Sequence, residues 1–270
     1  MTDTEDRWDG SEYADNSSMQ YRQAMEALSR IDVGSFQHVL DIGCGNGAVT
    51  KHIAEQLPAG QIVGIDVSPS MVGFARHTYA EPGRIDFQQM SADQLEFDNA
   101  FDLVCSFSIL HWVKRQWDVW SGIHRALRDG GRVLVGFQAD HPDFWDAVSL
   151  VTQRDRWKPL LADFDDPYNH WTREYMLRCI QGNGFYIDRF DEIIGDEYFG
   201  TREALSDFFC SWVPAARHVP AELREELMHE ILDLYFQRVD PVLVNQAGVR
   251  MKRYIIQAWK QSVLTEGEKS

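Results

Sequence analysis

The chain has 270 residues, enough for one substantial α/β domain with a smaller elaboration, and 26 basic against 42 acidic residues give it a net charge of -16. No cluster of Lys and Arg interrupts that deficit, so nucleic acid and anionic membrane surfaces are expected to be poor partners. The start, MTDTEDRWDGSEYADNSSM, has neither a basic opening nor an apolar core, and no later run approaches ~18 apolar residues, which predicts a soluble, cytoplasmic protein.

After this acidic start, Ser17 to Arg30 reads as an amphipathic helix with Met25 and Leu28 on its apolar face. Val39, Leu40 and Ile42 form the first strand, Gln37 to Ile42, after which Gly43, Gly45 and Gly47 let the backbone turn sharply without a Cβ in the way. Ala48 to Leu57 follows as a helix with Val49, Ile53 and Leu57 spaced by four, stopped by Pro58-Ala59-Gly60. Gln61 to Ile65 is the second strand and ends at Asp66. Ser68 is placed as an N-cap with Pro69 at the first helical position, opening a helix to Tyr79. Arg84 to Met90, Phe101 to Phe107 and Arg132 to Phe137 continue the strands, and a helix over Gln116 to Leu127 is ended by Asp129-Gly130-Gly131. Such alternation predicts a parallel sheet covered on both faces.

Beyond Gln138 the pattern changes. Phe185 to Ile194 and Arg250 to Trp259 read as late strands, and Val219 to Gln237 as a helix with Leu223, Leu227, Ile231 and Leu234 on one stripe. Thr201 to about Pro241 is read as a helical insertion between the last two strands, able to act as a lid. The expected division is therefore an N-terminal lid segment and helix over 1–36, a core over 37–200, a helical lid insertion over 201–241, and a final strand and tail over 242–270. The four cysteines, Cys44, Cys105, Cys179 and Cys210, show no ligand spacing, which predicts free thiols and no metal site. Oligomeric state has no signal in the sequence.

Function is concentrated in Val39 to Gly47, VLDIGCGNG, with Asp66 19 residues after its last glycine. In a parallel βαβ unit a carboxylate at that strand end can accept both hydroxyls of a ribose, which points to an adenosine-type ligand. Gly43, Gly45 and Ala48 also satisfy G-x-G-x-x-A, so the glycines alone leave a dinucleotide open. Asp41 favours a different ligand, because a carboxylate just before the loop repels a pyrophosphate but not the ammonium and sulfonium groups of S-adenosylmethionine (SAM).

VLDIGCGNG, GIDVSPSM, MSADQLEF and FDLVCSFSILHWV, in that order and spacing, resemble the class I SAM-dependent methyltransferases. The resemblance implies a doubly wound, seven-stranded, mostly parallel Rossmann-like sheet with SAM in its crevice. It assigns Asp41, Gly43, Cys44, Gly45 and Gly47 to the loop around the cofactor, Asp66 to the ribose, and Val67 beside it to the cofactor site; a small-molecule acceptor is expected. Asp93, with Gln94 beside it, is implied to meet the adenine amino group, although a loop aspartate capping a turn is the plainer reading of the residues alone. Ala92 and Met71 become apolar neighbours of the adenine, and Ser106 approaches the methionine portion through its backbone.

Leu110-His111-Trp112-Val113 follows the fourth strand, where the residues alone read equally well as an apolar helix start. The LHWV step resembles carboxyl O-methyltransferases of the juvenile hormone acid, trans-aconitate and malonyl-carrier-protein types. The juvenile hormone acid type shares the most features, including a glutamine after polar residues (Asn16-Ser17-Ser18-Met19-Gln20) and a Pro-Tyr-x-His-Trp run (Pro167-Tyr168-Asn169-His170-Trp171). In that family the glutamine and the tryptophan are implicated in holding the substrate carboxylate, which carries over to Gln20 and Trp112. His111 is a candidate general base, while His170 reads as a packed residue. Arg173 and Arg217 read either as binders of a second carboxylate or as surface residues. Trp145, Trp171, Phe208, Phe209 and Trp212 join Trp112 as candidate pocket walls. A carboxylic acid of pKa about 4 is already ionised at neutral pH, whereas a phenol near 10 needs a base. The expected activity is thus SAM-dependent methylation of a carboxylate oxygen on an apolar, isoprenoid-like or acyl acid. The alternatives are C-, N- or phenol O-methylation of a secondary metabolite, or a non-catalytic SAM-binding protein.

Overall fold

The computed structural model describes residues 18–139 and 141–261. The expectations for 1–17, including Asn16 and Ser17 of the glutamine motif, and for the tail from 262 lie outside the described residues. Helix α1 covers Ser18–Leu28 and buries Ala24, Ala27 and Leu28. Strand β1, His38–Ile42, is followed by α2 over Ala48–Gln56, β2 over Gln61–Asp66 and α3 over Pro69–Tyr79. Strands β3 (Ile85–Gln89) and β4 (Phe101–Phe107) lead to α4 (Gln116–Ala126) and β5 (Leu127–Ala139). Each expected element of this half is present within a few residues. The largest difference is at β5, which starts five residues before the expected Arg132.

The seven strands form one sheet in the order β3-β2-β1-β4-β5-β7-β6, where β6 is Phe185–Tyr198 and β7 is Gly248–Lys260. Strands β3, β2, β1, β4 and β5 pair in parallel. The sheet centre is apolar on both faces, with Val39, Leu40 and Ile42 of β1 fully buried, as a doubly covered parallel sheet requires. Chain order reverses between β1 and β4, so the crevice beyond their carboxyl ends is a topological switch point, where ligands of open α/β sheets bind. Register brings those ends level: Ile42 pairs with Ile65 on one side and Ser106 on the other.

The chain divides into two compact units. The first holds the chain up to Phe137 together with Thr172–Asp191 and the part from Tyr254 onward, and the second holds Gln138–Trp171 and Glu192–Arg253. Helices α5 (Pro142–Thr152), α7 (Arg202–Trp212), α8 (Pro214–His218), α9 (Arg224–Phe236) and α10 (Pro241–Asn245) belong to the second unit, whereas α6 (Arg173–Gly182) belongs to the first. In the second unit Phe144 of α5 stacks on Phe209 of α7 at 4.0 Å, and Leu227, Ile231 and Tyr235 of α9 are fully buried. Trp145, Phe208 and Trp212 pack on this same core. Their aromatic surface is core material of that unit, and the hollow beside them, about 20 Å³, has room for a single water.

Candidate active site

A cavity of about 380 Å³ opens beyond the carboxyl ends of β1, β2 and β4, within the size range of small-molecule sites. Its floor is the glycine loop. The amides of Gly43 and Cys44 both donate to the Ile65 carbonyl, at 2.7 and 2.9 Å, which ties the loop to the end of β2. Gly43 has φ +75°, and a Cβ there would meet the Ile109 side chain at 2.4 Å, so only glycine fits. Gly47, at φ +84°, starts α2; it does not line the cavity, and a Cβ on it would press on Ala75 and Phe87.

Asp66 stands where β2 ends. Its Oδ2 accepts from the Gly45 amide at 3.0 Å and its Oδ1 from the Ser68 amide at 2.9 Å, which orients a group able to accept more than two such bonds. Ser68 caps α3 as expected, its hydroxyl accepting from the Met71 amide. Asp41 is almost completely buried and accepts from Thr50 Oγ1 at 2.6 Å. Burial pushes its carboxyl up to about 6, against the lowering effect of the Thr50 hydrogen bond and with the negative charge of Asp66 adding to the rise. Burial, Asp41 and Asp66 likewise raise the Cys44 thiol well above its ordinary range, leaving a neutral thiol in the loop.

Asp93, with Ala92 and Met71, forms another part of the wall. Its carboxylate accepts from Ser91 Oγ at 2.5 Å and from Arg115 Nε at 2.9 Å. Burial raises the Asp93 carboxyl, but these two hydrogen bonds and the Arg115 charge outweigh it and hold the group below the usual aspartate range. Gln94 is exposed and does not line the cavity; Val67 does, and is 64% exposed at its rim.

The opposite wall runs from Phe107 to Lys114, where Trp112 closes the short 3-10 turn Leu110–Trp112. Gln116, fully buried at the start of α4, donates from Nε2 to the carbonyls of Leu110 (2.7 Å) and Val113 (2.9 Å) and so clamps both ends of this turn. Ser108 sits in the left-handed region at φ +61°, uncommon for a residue with a side chain, and its amide donates to the Gly136 carbonyl at 2.7 Å. Gln20 and Tyr21 of α1 complete the enclosure, with Tyr21 Oη 3.2 Å from His52 Nδ1.

Beside Gly47 and Gln94, two more expected residues, Ser106 and His111, lie outside the cavity wall. Ser106 is fully buried, and its hydroxyl donates to the Ile42 carbonyl at 2.9 Å, so its side chain ties β4 to β1. His111 is also buried; burial drives its imidazole down to about 3, and the ring packs 5.2 Å from Trp112. Arg173 is occupied elsewhere, stacking over Phe190 and donating to its carbonyl at 3.1 Å. His170 is exposed, with its ring against Trp145 and Tyr168, rather than packed inside.

A methyltransferase domain model matches residues 39–131, the stretch from β1 into β5 that builds most of this cavity. An uncharacterized methyltransferase of Schizosaccharomyces pombe is 34% identical over 205 residues, covering 70% of this chain and 74% of that protein. The chain belongs to the class I SAM-dependent methyltransferases. The juvenile hormone acid O-methyltransferase of Drosophila melanogaster is 28% identical over 211 residues, 73% of this chain and 70% of that protein. Among solved structures, a phosphoethanolamine N-methyltransferase of Haemonchus contortus in complex with SAM shares the fold at a TM-score of 0.53 and 22% identity, over 89% of this chain and 53% of that one.

Several residues that shape the site of this methyltransferase carry no motif of their own. Tyr21 and Lys114 adjoin Gln20 and the LHWV step in sequence, and only the fold shows that they face the same cavity. Arg115 and Gln116 act through contacts 22 and 6 residues away, which no local pattern announces. Among the described residues, no group of three or more His, Cys, Asp or Glu side chains is placed to hold a metal, and no helix is long and apolar enough to cross a membrane.

Proposed function

We propose that this methyltransferase transfers the methyl group of SAM to a carboxylate oxygen of a small apolar acid, isoprenoid-like or acyl. The residues present fit the cofactor: Asp66 offers an oriented carboxylate for a ribose diol, Asp41 a buried negative charge for an ammonium, and Met71 and Ala92 an apolar bed for an adenine beside Asp93. Bound there, SAM would supply an electrophilic methyl carbon on a sulfonium, with the thioether of S-adenosylhomocysteine as its leaving group.

The observation that carries the choice of acceptor is the wall from Phe107 to Val113. Beside Ser108 and Lys114 it presents Phe107, Ile109, Trp112 and Val113 to the cavity, and its histidine is not placed as a base, because His111 is not part of the lining and its imidazole is pushed to about 3. An acceptor that is already an anion suits such a wall, whereas a phenol or a protonated amine would need its proton removed. Apolar walls also strip water from a carboxylate, which strengthens its attraction to a cationic centre. Holding the acceptor oxygen in line can supply several of the ~7–11 kcal/mol available from orientation. Gln20 and Trp112 are the groups we assign to that task. The relationship to a juvenile hormone acid O-methyltransferase supports the same class of acceptor. The net charge of -16 argues against nucleic acid as the acceptor.

The test is incubation with SAM labelled on its methyl group and a panel of juvenile hormone acid, trans-aconitate and dodecanoate. Label in a product that mild alkali releases as methanol identifies a methyl ester, the expected result. Label confined to alkali-stable products overturns the reading.

A further inference from the structure

We propose that Lys114 is the anion anchor of this cavity: its ammonium captures the acceptor's carboxylate and thereby selects acids over their neutral esters. The inference rests on the carboxylate reading above and adds the residue that enforces it. An anionic acceptor has an electrostatic problem here. The protein carries a net charge of -16, and the cavity wall itself bears Asp41, Asp66 and Asp93. Among the described residues, Lys114 is the only Lys or Arg that lines it. The neighbouring cation, Arg115, is not part of the lining.

The position of Lys114 is also defined by the fold. It follows directly on Trp112 and Val113, and Gln116 clamps the turn that carries them through the Leu110 and Val113 carbonyls. The backbone is thus fixed while the side chain is exposed, on a flexible four-carbon stem. A compact, strongly hydrated ammonium in that setting attracts an anion without immobilising it, which favours encounter and binding over the chemical step. Methylation turns the carboxylate into an uncharged ester with no proton transferred, so the hold of the anchor lapses when the product forms. Substrate retention and product release then follow from one charge.

SAM has a carboxylate of its own, and the experiment separates the two sources. K114E, K114Q and K114R are compared with wild type on whichever panel acid wild type methylates best, measuring KM, kcat, the Kd of S-adenosylhomocysteine, and inhibition by the corresponding methyl ester. The expected result is a KM raised roughly tenfold in K114E and less in K114Q, with most of the effect restored in K114R and kcat nearly unchanged. Raising NaCl from about 50 to about 500 mM should weaken acid binding in wild type but not in K114Q. Ester inhibition and S-adenosylhomocysteine affinity should not move. A loss of S-adenosylhomocysteine affinity equal to the loss in KM assigns Lys114 to the cofactor's carboxylate and overturns the proposal. An unchanged KM in K114E overturns it while leaving the carboxylate reading intact, and a wild-type protein that methylates none of the acids overturns both.

Discussion

Thr50 Oγ1 donates a 2.6 Å hydrogen bond to Asp41 Oδ2 beneath the glycine loop, and this bond does not fully offset the burial of the acid. The Asp41 carboxyl is raised from an ordinary 3.8 to about 6, so its folded form holds a proton more tightly than its unfolded form. The cost of ionising it is absent below about pH 3.8, grows between there and pH 6, and is complete above pH 6. A shift of this size corresponds to about 3 kcal/mol. Asp41→Asn, which keeps an acceptor for Thr50, should therefore stabilise the cofactor-free protein at pH 8 by up to that amount and hardly at all near pH 3.5. The same variant should bind SAM more weakly, if the charge we assign to its ammonium is the one removed. Denaturant titrations at the two pH values check the first part and calorimetry the second; a stability gain independent of pH contradicts the argument.

Asp66, the residue we assign to the ribose, differs from Asp41 in also accepting two backbone hydrogen bonds that the fold needs. Removing it leaves the Gly45 and Ser68 amides without their acceptor. Asp66→Ala should lower SAM affinity at least tenfold, roughly 1.4 kcal/mol or more, and also lower stability by about 1–3 kcal/mol for the amides left unsatisfied. Calorimetric titration with S-adenosylhomocysteine is the measurement, and unchanged affinity would remove Asp66 from the site.

Gly43 is constrained from two sides, by φ +75° and by the Ile109 side chain, which lies 2.4 Å from where an alanine Cβ would sit. Gly43→Ala should destabilise by roughly 1–3 kcal/mol through overpacking and left-handed strain together. Gly43→Ala combined with Ile109→Ala should recover the packing part and not the strain part. Thermal melts of the single and double variants distinguish the two contributions.

How much of this is legible in the sequence depends on the range of the interaction. The strand VLDI, the Ser68-Pro69 helix start and the acid ending β2 are local signals, and each appears where the residues place it. Helices α5 and α6 fall outside the expected elements, although Pro142 at a first helical position and Thr172, whose hydroxyl accepts from the Tyr175 amide, are ordinary start signals. The β6 strand runs four residues beyond the expected Ile194, because Gly195, Asp196 and Glu197 are poor strand formers and hide the extended pattern on an edge of the sheet. Non-local features have no signal to read: the left-handed backbone of Ser108, the hydroxyl of Ser106 on the Ile42 carbonyl, and Arg115 bound to Asp93.

Gln116 offers a test of how far the turn bearing Trp112 depends on its clamp. Its side-chain amide is fully buried and ties the carbonyls of Leu110 and Val113, so Gln116→Ala leaves two acceptors short of a donor and opens space beneath them. A stability loss of roughly 2–4 kcal/mol is expected, with acceptor KM rising more than SAM affinity falls, because the turn belongs to the wall opposite Asp66. Tryptophan fluorescence quenching, read against melts, checks whether Trp112 becomes mobile.

His111 provides the sharpest contrast between the two classes of acceptor. With burial holding its imidazole near 3, it is neutral throughout the physiological range and changes charge only in strong acid. The pH profile of kcat should therefore show no inflection near the ordinary histidine value of about 6.5. Stability follows the same shift: the folded value lies below the unfolded one, so the fold favours the neutral ring, and lowering the pH from about 6.5 toward 3 progressively destabilises it. His111→Asn should lower stability through lost packing against Trp112 and leave the shape of the pH–rate profile intact. A rate loss in that variant that is rescued by raising the pH would identify His111 as a working base and turn the choice of acceptor toward a protonated nucleophile.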